Sequence, residues 1–510
     1  MRLWNKRIFL YSMISSLLWG VTHAYAVTRL MLSHDSLTEF FAGAGIPTGY
    51  TGLTWKIALG RFVTPVYEKL FRGTVCAPWL IGMLAMLFAA LAVYVTVRVL
   101  DFRRPAAIFL TAGVMIANPA VFTTAATFLH DLDCYMLALL LAALAVWCWQ
   151  RGSLLYGAGA LCICLCMGLY ASYLSVAIVL MMLVSILRLT GGETPGGVVV
   201  RGLKGIGMLI AGLALYALAT ACVCRVSGVA LLDNTDNSIL NILGMGGQLA
   251  ERLGECYRQV GRALVYELFG HGDAVSPAAL GVLAGVCCAL AARMIRSRIG
   301  VPAVLLTLVL AALLPAAMNL SMLANNGSAH DLMKYAFLLP TLLALAPLEA
   351  LPACPGRPAR VGATALALCV GLVSWQYVVQ ANQIYLKKEL EDRYTYSFMT
   401  RLLTRIEQTE GFSREETPVL LIGRIDPMIQ EREELARYRD YTGQIAVTPI
   451  TFGYQYRMYL EYMLGTPVYV DTDAEQMAGR PEVEEMGVYP SPDAIRMIDG
   501  TLVVKLEQGS

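Results

Sequence analysis

The chain has 510 residues, of which 57% are hydrophobic and only 15% charged, and its formal net charge is +2. Such a composition is too apolar for a water-soluble protein of this length and leaves a polytopic membrane protein as the class. The near-neutral balance excludes nucleic-acid binding by a global basic excess, so the cations must be read by position.

In chain order, "MRLWNKR" precedes an apolar run at 8–28 that ends in "HAYA". Ala24-x-Ala26 has the form of a signal cleavage site, but the run exceeds the roughly 7–15 residues of a signal core and suits a retained spanning helix. Further windows able to cross lie at 79–98, 105–123, 132–149, 153–168, 170–188, 205–225, 276–294, 300–320, 333–350 and 361–381, eleven with the first. The run "LLYGAGALCICLCMGLYASYLSVAIVLMMLVSILR" is too long for one span and divides at Gly168-Leu169-Tyr170. Its "CICLC" reads as packing, because a two-residue helical step turns Cys162 and Cys164 to different sides.

The short loops carrying Arg98, Arg103, Arg104, Arg151, Arg188, Arg201, Arg293, Arg296 and Arg357 fall with the N-terminus on one side. That side is cytoplasmic by the positive-inside bias, and an odd number of spans leaves the C-terminus outside. Between two later spans, residues 231–273 repeat apolar residues at helical spacing and should form amphipathic helices on the outer surface.

After residue 381 charge alternates with apolar residues at helical spacing, and "PVLLIG", "PVYVD" and "IRMIDGTLVVKL" read as strands, the last a hairpin turning at Asp499-Gly500. The expected organisation is a multi-span domain at 1–381 and an extracytoplasmic α/β domain at 382–510. "LLIGRID" has one glycine after a strand and is no dinucleotide fingerprint.

Ionisable groups at a membrane edge are functional candidates, and here they gather in the outward loops. The first loop carries His34, Asp35, Glu39, Trp55, Lys56, Arg61, Tyr67 and Glu68; "TFLHDLDCY" supplies His130, Asp131 and Asp133; "GLYASY" supplies Tyr170; "NNGSAHDLMKY" supplies Asn326 and Lys334. Each has a plain alternative: a solvated helix end for Asp35, a lipid-headgroup contact for Arg61, an interfacial aromatic for Tyr170, a loop hydrogen bond for His130.

The acid after the first span ("SHDS"), "WKIALGRFVTPVYEKLF", "ANPAVFTTAATFLHDLDCYMLALLLAALAVW" and "GLYASYLSVAIVL", in this order, resemble the bacterial glucosyltransferase II family of integral-membrane, O-antigen-modifying enzymes. Where the family pattern carries paired aspartates, this chain has His34-Asp35-Ser36. The resemblance implies a GT-C-like α-helical fold in the bacterial inner membrane, a polyprenyl-phosphate sugar as donor, with glucose as the hexose, and an extracytoplasmic glycan as acceptor.

Such transfer needs a base for the acceptor hydroxyl and a cation for the departing phosphate. Asp35 is the expected base and Arg61 the phosphate contact, with Lys56 or Lys334 as point-charge alternatives. His34, Trp55, His130, Asp131, Asp133, Tyr170 and Asn326 are the expected sugar or acceptor pocket. "DLD" at 131–133 has the acid-x-acid form of metal-dependent glycosyltransferases, with Mg or Mn the ion to test, yet a single-phosphate leaving group needs less neutralisation, and no cofactor is required. The expected partners are the lipid-linked sugar, the glycan and membrane lipid, with no nucleic acid. The rival functions are a transporter or flippase of a lipid-linked glycan, which should show symmetric halves and midspan charges, and a non-catalytic sensor or scaffold.

Overall fold

The structure is a computed structural model. It describes residues 4–40, 52–73, 76–232, 249–264, 276–324, 329–352, 354–425, 450, 453–468, 470–471 and 477–506.

Among the described residues eight helices are long and apolar enough to cross a membrane: Pro78–Val99, Pro105–Thr127, Leu129–Arg151, Tyr156–Thr190, Pro195–Ser227, Pro277–Arg296, Val301–Met318 and Arg357–Glu407. Several open on a proline, whose fixed φ and missing N–H suit a first helical position. The Tyr156–Thr190 stretch holds two of the apolar windows. Its break falls at Tyr170, whose extended backbone (φ −156°, ψ 103°) stops one helix before the next starts at Leu174. The two remaining windows are helical as well. The first is Lys6–Gly20 continued by a 3-10 turn and Ala24–Val27, and the second is a 3-10 helix, Tyr335–Leu345, running into Ala346–Glu349. Of the expected amphipathic segment, Leu249–Arg262 is a helix, and residues 233–248 and 265–275 lie outside the described residues.

Small residues set the helix spacing. A Cβ at Gly212 would stand 2.7 Å from Ile163 and 2.9 Å from the Ala160 carbonyl, so the Pro195–Ser227 helix lies directly on Tyr156–Tyr170. His23, buried where the first helix meets the core, has both ring nitrogens bonded, to the Tyr385 hydroxyl at 2.7 Å and the Ile116 carbonyl at 2.8 Å. A buried imidazole so satisfied ties the first helix to the last at little desolvation cost.

The last helix, Arg357–Glu407, has 51 residues and crosses position 381 without a break. At about 1.5 Å per residue it is far longer than a hydrocarbon core of roughly 30 Å. Its C-terminal half carries a four-stranded sheet formed by β1 (Val419–Ile422), β2 (Val470–Asp471), β3 (Ile495–Ile498) and β4 (Thr501–Lys505) in the order β2-β1-β4-β3. β1 pairs parallel with β2 and β4, while β3 and β4 form an antiparallel hairpin. Asp499 (φ 49°) and Gly500 (φ 81°) supply the two positive-φ residues that a tight hairpin turn requires.

Candidate active site

Two short helices of the segment after the first span, Gly52–Ala58 and Val63–Phe71, meet the turn Leu129–Asp131 that opens the Leu132–Arg151 helix. The join between the two short helices is a left-handed turn at Gly60 (φ 76°), where a Cβ would stand 2.6 Å from the Tyr216 hydroxyl. Only glycine fits that turn without strain, and it sets Arg61 beside Asp131.

Asp131 is the hub. Lys56 donates to both its carboxylate oxygens, at 2.8 and 2.9 Å, and Arg61 donates to one of them at 3.0 Å. The Tyr135 hydroxyl, one helical turn on, donates to the same oxygen at 3.3 Å and accepts from Arg61 at 3.1 Å. Lys56 also reaches Glu39 at 3.5 Å. Burial works against the Lys56 ammonium, but the Asp131 and Glu39 carboxylates hold its pKa above the usual lysine range, so it stays charged. Asp131 and Asp133 stand at the start of a long helix, where the macrodipole favours negative charge.

A second ion network adjoins it. Asp133, fully buried, accepts from the Tyr67 hydroxyl at 2.8 Å and lies 3.4 Å from Arg72. Arg72 pairs with Glu68 at 2.5 Å and donates to the His130 carbonyl at 2.7 Å. Burial lifts the Glu68 carboxyl to about 7, against the pull of Arg72 and Lys56. His130 is buried, with Nδ1 3.2 Å from the Ser36 hydroxyl and Nε2 3.8 Å from Asp131.

Accessibility separates these groups. The Lys56 and Asp131 side chains are at most 3% exposed, whereas Arg61 is 22%, Glu68 19% and Glu39 14% exposed. Arg61 therefore has one edge committed to the hub and another reachable by a ligand. Its guanidinium stands 5.2 Å from the Tyr170 ring centroid, and Tyr170 stacks on Tyr135 at 3.9 Å. Tyr170 is itself buried, and belongs to the wall behind Arg61.

Of the residues singled out from sequence, Lys56, Arg61, His130, Asp131, Asp133 and Tyr170 are thus gathered in one place. Trp55 is partly exposed on the Lys56 helix. His34 and Asp35 lie on the helix His34–Phe40, but their side chains, like Asn326 as a whole, lie outside the described residues. Lys334 pairs with Asp331 at 2.8 Å, on the segment that leads into Tyr335. Arg72 and Tyr135 were missed. Each stands four residues after an acid, Glu68 and Asp131, and that helical pairing was the available signal.

A divalent ion does not fit here. Glu68, Asp131 and Cys134 bring ligand atoms within 4.8 Å of one another. Asp131, however, is already met by an ammonium and a guanidinium, and Glu68 by another guanidinium. A Mg or Mn ion would face three fixed cations and a thiol, a donor set those hard ions do not favour.

Beside the site lies an apolar cavity of about 360 Å³, lined by Val27, Trp79, Met83, Met86, Leu132 and Met136 among others. Leu132 and Met136 stand on the helix turns that carry Asp131 and Asp133, so the cavity and the ion networks share a wall. Leu17, Val21, Trp79 and Met83 leave large exposed apolar surface at its rim.

A bundle of helices long and apolar enough to cross a bilayer, enclosing a buried paired-charge site, is the architecture of an integral-membrane protein. Residues 26–346 match the model of the family described as Glucosyl transferase GtrII, and the chain belongs to that family. No curated protein matches the chain. Among solved structures it is similar to the archaeal oligosaccharyltransferase AglB from Archaeoglobus fulgidus, in complex with an inhibitory peptide and a dolichol-phosphate. Identity there is 13% and the TM-score 0.32, over 84% of this chain and 59% of the other. The chain thus spans less than two thirds of that protein's length, and so distant a likeness carries no functional argument.

Proposed function

We propose that the protein moves glucose from a polyprenyl-phosphate donor to an extracytoplasmic glycan such as O-antigen, as a GT-C-type enzyme of the bacterial inner membrane with its C-terminal unit outside. The observation that carries this reading is Arg61. One edge of its guanidinium is fixed on Asp131 and Tyr135, and Nε and Nη2 have no hydrogen-bond partner among the described residues. A rigid, partly exposed fork of this kind suits phosphate oxygens. The apolar cavity beside it suits an isoprenoid tail.

Asp35 is the proposed base. It stands one helical turn before Glu39 on the helix His34–Phe40, and Glu39 lies 3.5 Å from Lys56. In the transfer, the base takes the proton of an acceptor hydroxyl as its oxygen bonds to the anomeric carbon of the sugar. The bond from that carbon to the phosphate oxygen breaks, and polyprenyl phosphate leaves with its new negative charge against Arg61. Lys56 and Asp131 keep the guanidinium in place.

Expressing Asp35→Asn beside wild type in a host with a modifiable surface glycan tests the reading. At equal membrane levels, wild type should add one hexose per repeat and the variant none. A hexose gain by the variant would contradict the proposed base.

A further inference from the structure

The family match ends at residue 346, so the C-terminal unit lies wholly beyond it. We propose that this unit is a positioning element for the transfer reaction: it forms the outer wall that holds the helix His34–Phe40 against the Asp131 hub. The inference rests on the proposed function and adds a role for the C-terminal unit.

The helix is held from two sides. On the membrane side, the hydroxyls of Ser33 and Ser36 both donate to the Thr127 carbonyl, and Ser36 also meets His130. These contacts seat the helix on the turn that carries Asp131. On the other side, Leu32 and Leu37, both fully buried, belong to one apolar cluster with Phe398, Met399 and Leu402 of the last helix and with Tyr456, Tyr459 and Leu460. The same cluster runs on into the sheet through Val419, Leu421, Leu502 and Val504. Leu37 therefore packs on the core of the C-terminal unit, while its neighbour Ser36 bonds to the membrane bundle.

Polar contacts repeat the arrangement. Arg29 lies 3.5 Å from Glu389, and Asp392 pairs with Lys388 at 2.8 Å. Glu389 and Asp392 stand one turn apart on the part of Arg357–Glu407 beyond position 381. The segment after the first span is thus fastened to the last helix by an ion pair and by the apolar packing of Leu32 and Leu37. A seven-residue helix is too short to be stable alone, so its placement depends on these two partners. Misplacing a base by about 1 Å can cost roughly a hundredfold in rate.

The test uses the full-length protein and four forms: wild type, Leu37→Ala, Leu37→Met and Val483→Ala. Val483 is equally buried in the C-terminal unit, but in a separate cluster with Leu420, Met486 and Val503, away from the helix. Each form is scored at equal membrane level for hexose added to the surface glycan, for thermal midpoint, and for amide exchange over residues 33–40. Leu37→Ala should fall below about a tenth of wild-type transfer and speed exchange in 33–40. Leu37→Met, nearly volume-conserving, should return transfer to within about twofold of wild type. Val483→Ala should lower the thermal midpoint comparably and leave transfer and exchange in 33–40 unchanged.

Unchanged transfer in Leu37→Ala would overturn the inference, as would equal losses in Leu37→Ala and Val483→Ala, which would make the effect general stability. If wild type itself adds no hexose, the proposed function fails, and the exchange measurement still decides whether the C-terminal unit holds the helix.

Discussion

Lys56 and Asp131, 75 positions apart in the chain, form a two-pronged ion pair with Nζ 2.8 and 2.9 Å from the carboxylate oxygens and almost no solvent access. Neither charge could be buried without the other, and the pair locks the segment after the first span onto the Leu132–Arg151 helix. Asp131→Asn removes the charge that Lys56 and Arg61 share and should destabilise the protein by about 3–5 kcal/mol. Unfolding followed in mild detergent checks this, and a change near zero would mean the pair is not a structural hub.

Arg61→Lys keeps the charge and loses the planar fork. It should raise the KM for a polyprenyl-phosphate sugar by about tenfold or more, while thermal stability falls less than in Asp131→Asn. Steady-state kinetics with purified protein and synthetic donor separate the two effects.

Glu68 gives a pH signature. Burial raises its carboxyl from 4.5 to about 7, so between those values the folded protein keeps a proton that the unfolded chain has released. Its contribution to stability therefore falls as pH rises from 4.5 through about 7, and is flat above that. The difference in thermal midpoint between wild type and Glu68→Gln should follow that slope, with the variant gaining relative to wild type as pH rises. A pH-independent difference would place the carboxyl at its ordinary value.

Met83→Trp extends a side chain across the mouth of the apolar cavity from a position 59% exposed. Donor KM should rise several-fold with little change in thermal midpoint, while Leu161→Trp, at an exposed apolar position away from the cavity, should change neither. Equal kinetics for all three proteins would remove the cavity from donor binding.

The parts of this fold written in local pattern were legible in sequence. All eleven apolar windows fall on helical segments, and the break near Tyr170 was readable because 35 apolar residues cannot cross once without a steep tilt. "PVLLIG" is β1, and Asp499-Gly500 turns the β3–β4 hairpin. What no local pattern carries is which distant charges meet. Lys56, Arg61 and Asp131 could be named as candidates, but their pairing depends on the turn at Gly60 and on helix packing around Tyr216. Arg72 escaped notice because it sits at the end of a short helix among exposed residues, while its partners, Asp133 and the His130 carbonyl, lie some sixty positions on. The change of composition after residue 381 falls inside one unbroken helix, since helical hydrogen bonding continues regardless of whether lipid or protein surrounds it.

The most direct test of the account is mass spectrometry of surface glycan from a strain lacking the gene, the same strain carrying wild type, and the same strain carrying Arg61→Ala. The account predicts one additional hexose per repeat with wild type and none in the other two, with polyprenyl-phosphate glucose accumulating where Arg61 is replaced. An unaltered glycan mass with wild type present, or full hexose addition by Arg61→Ala, would contradict it.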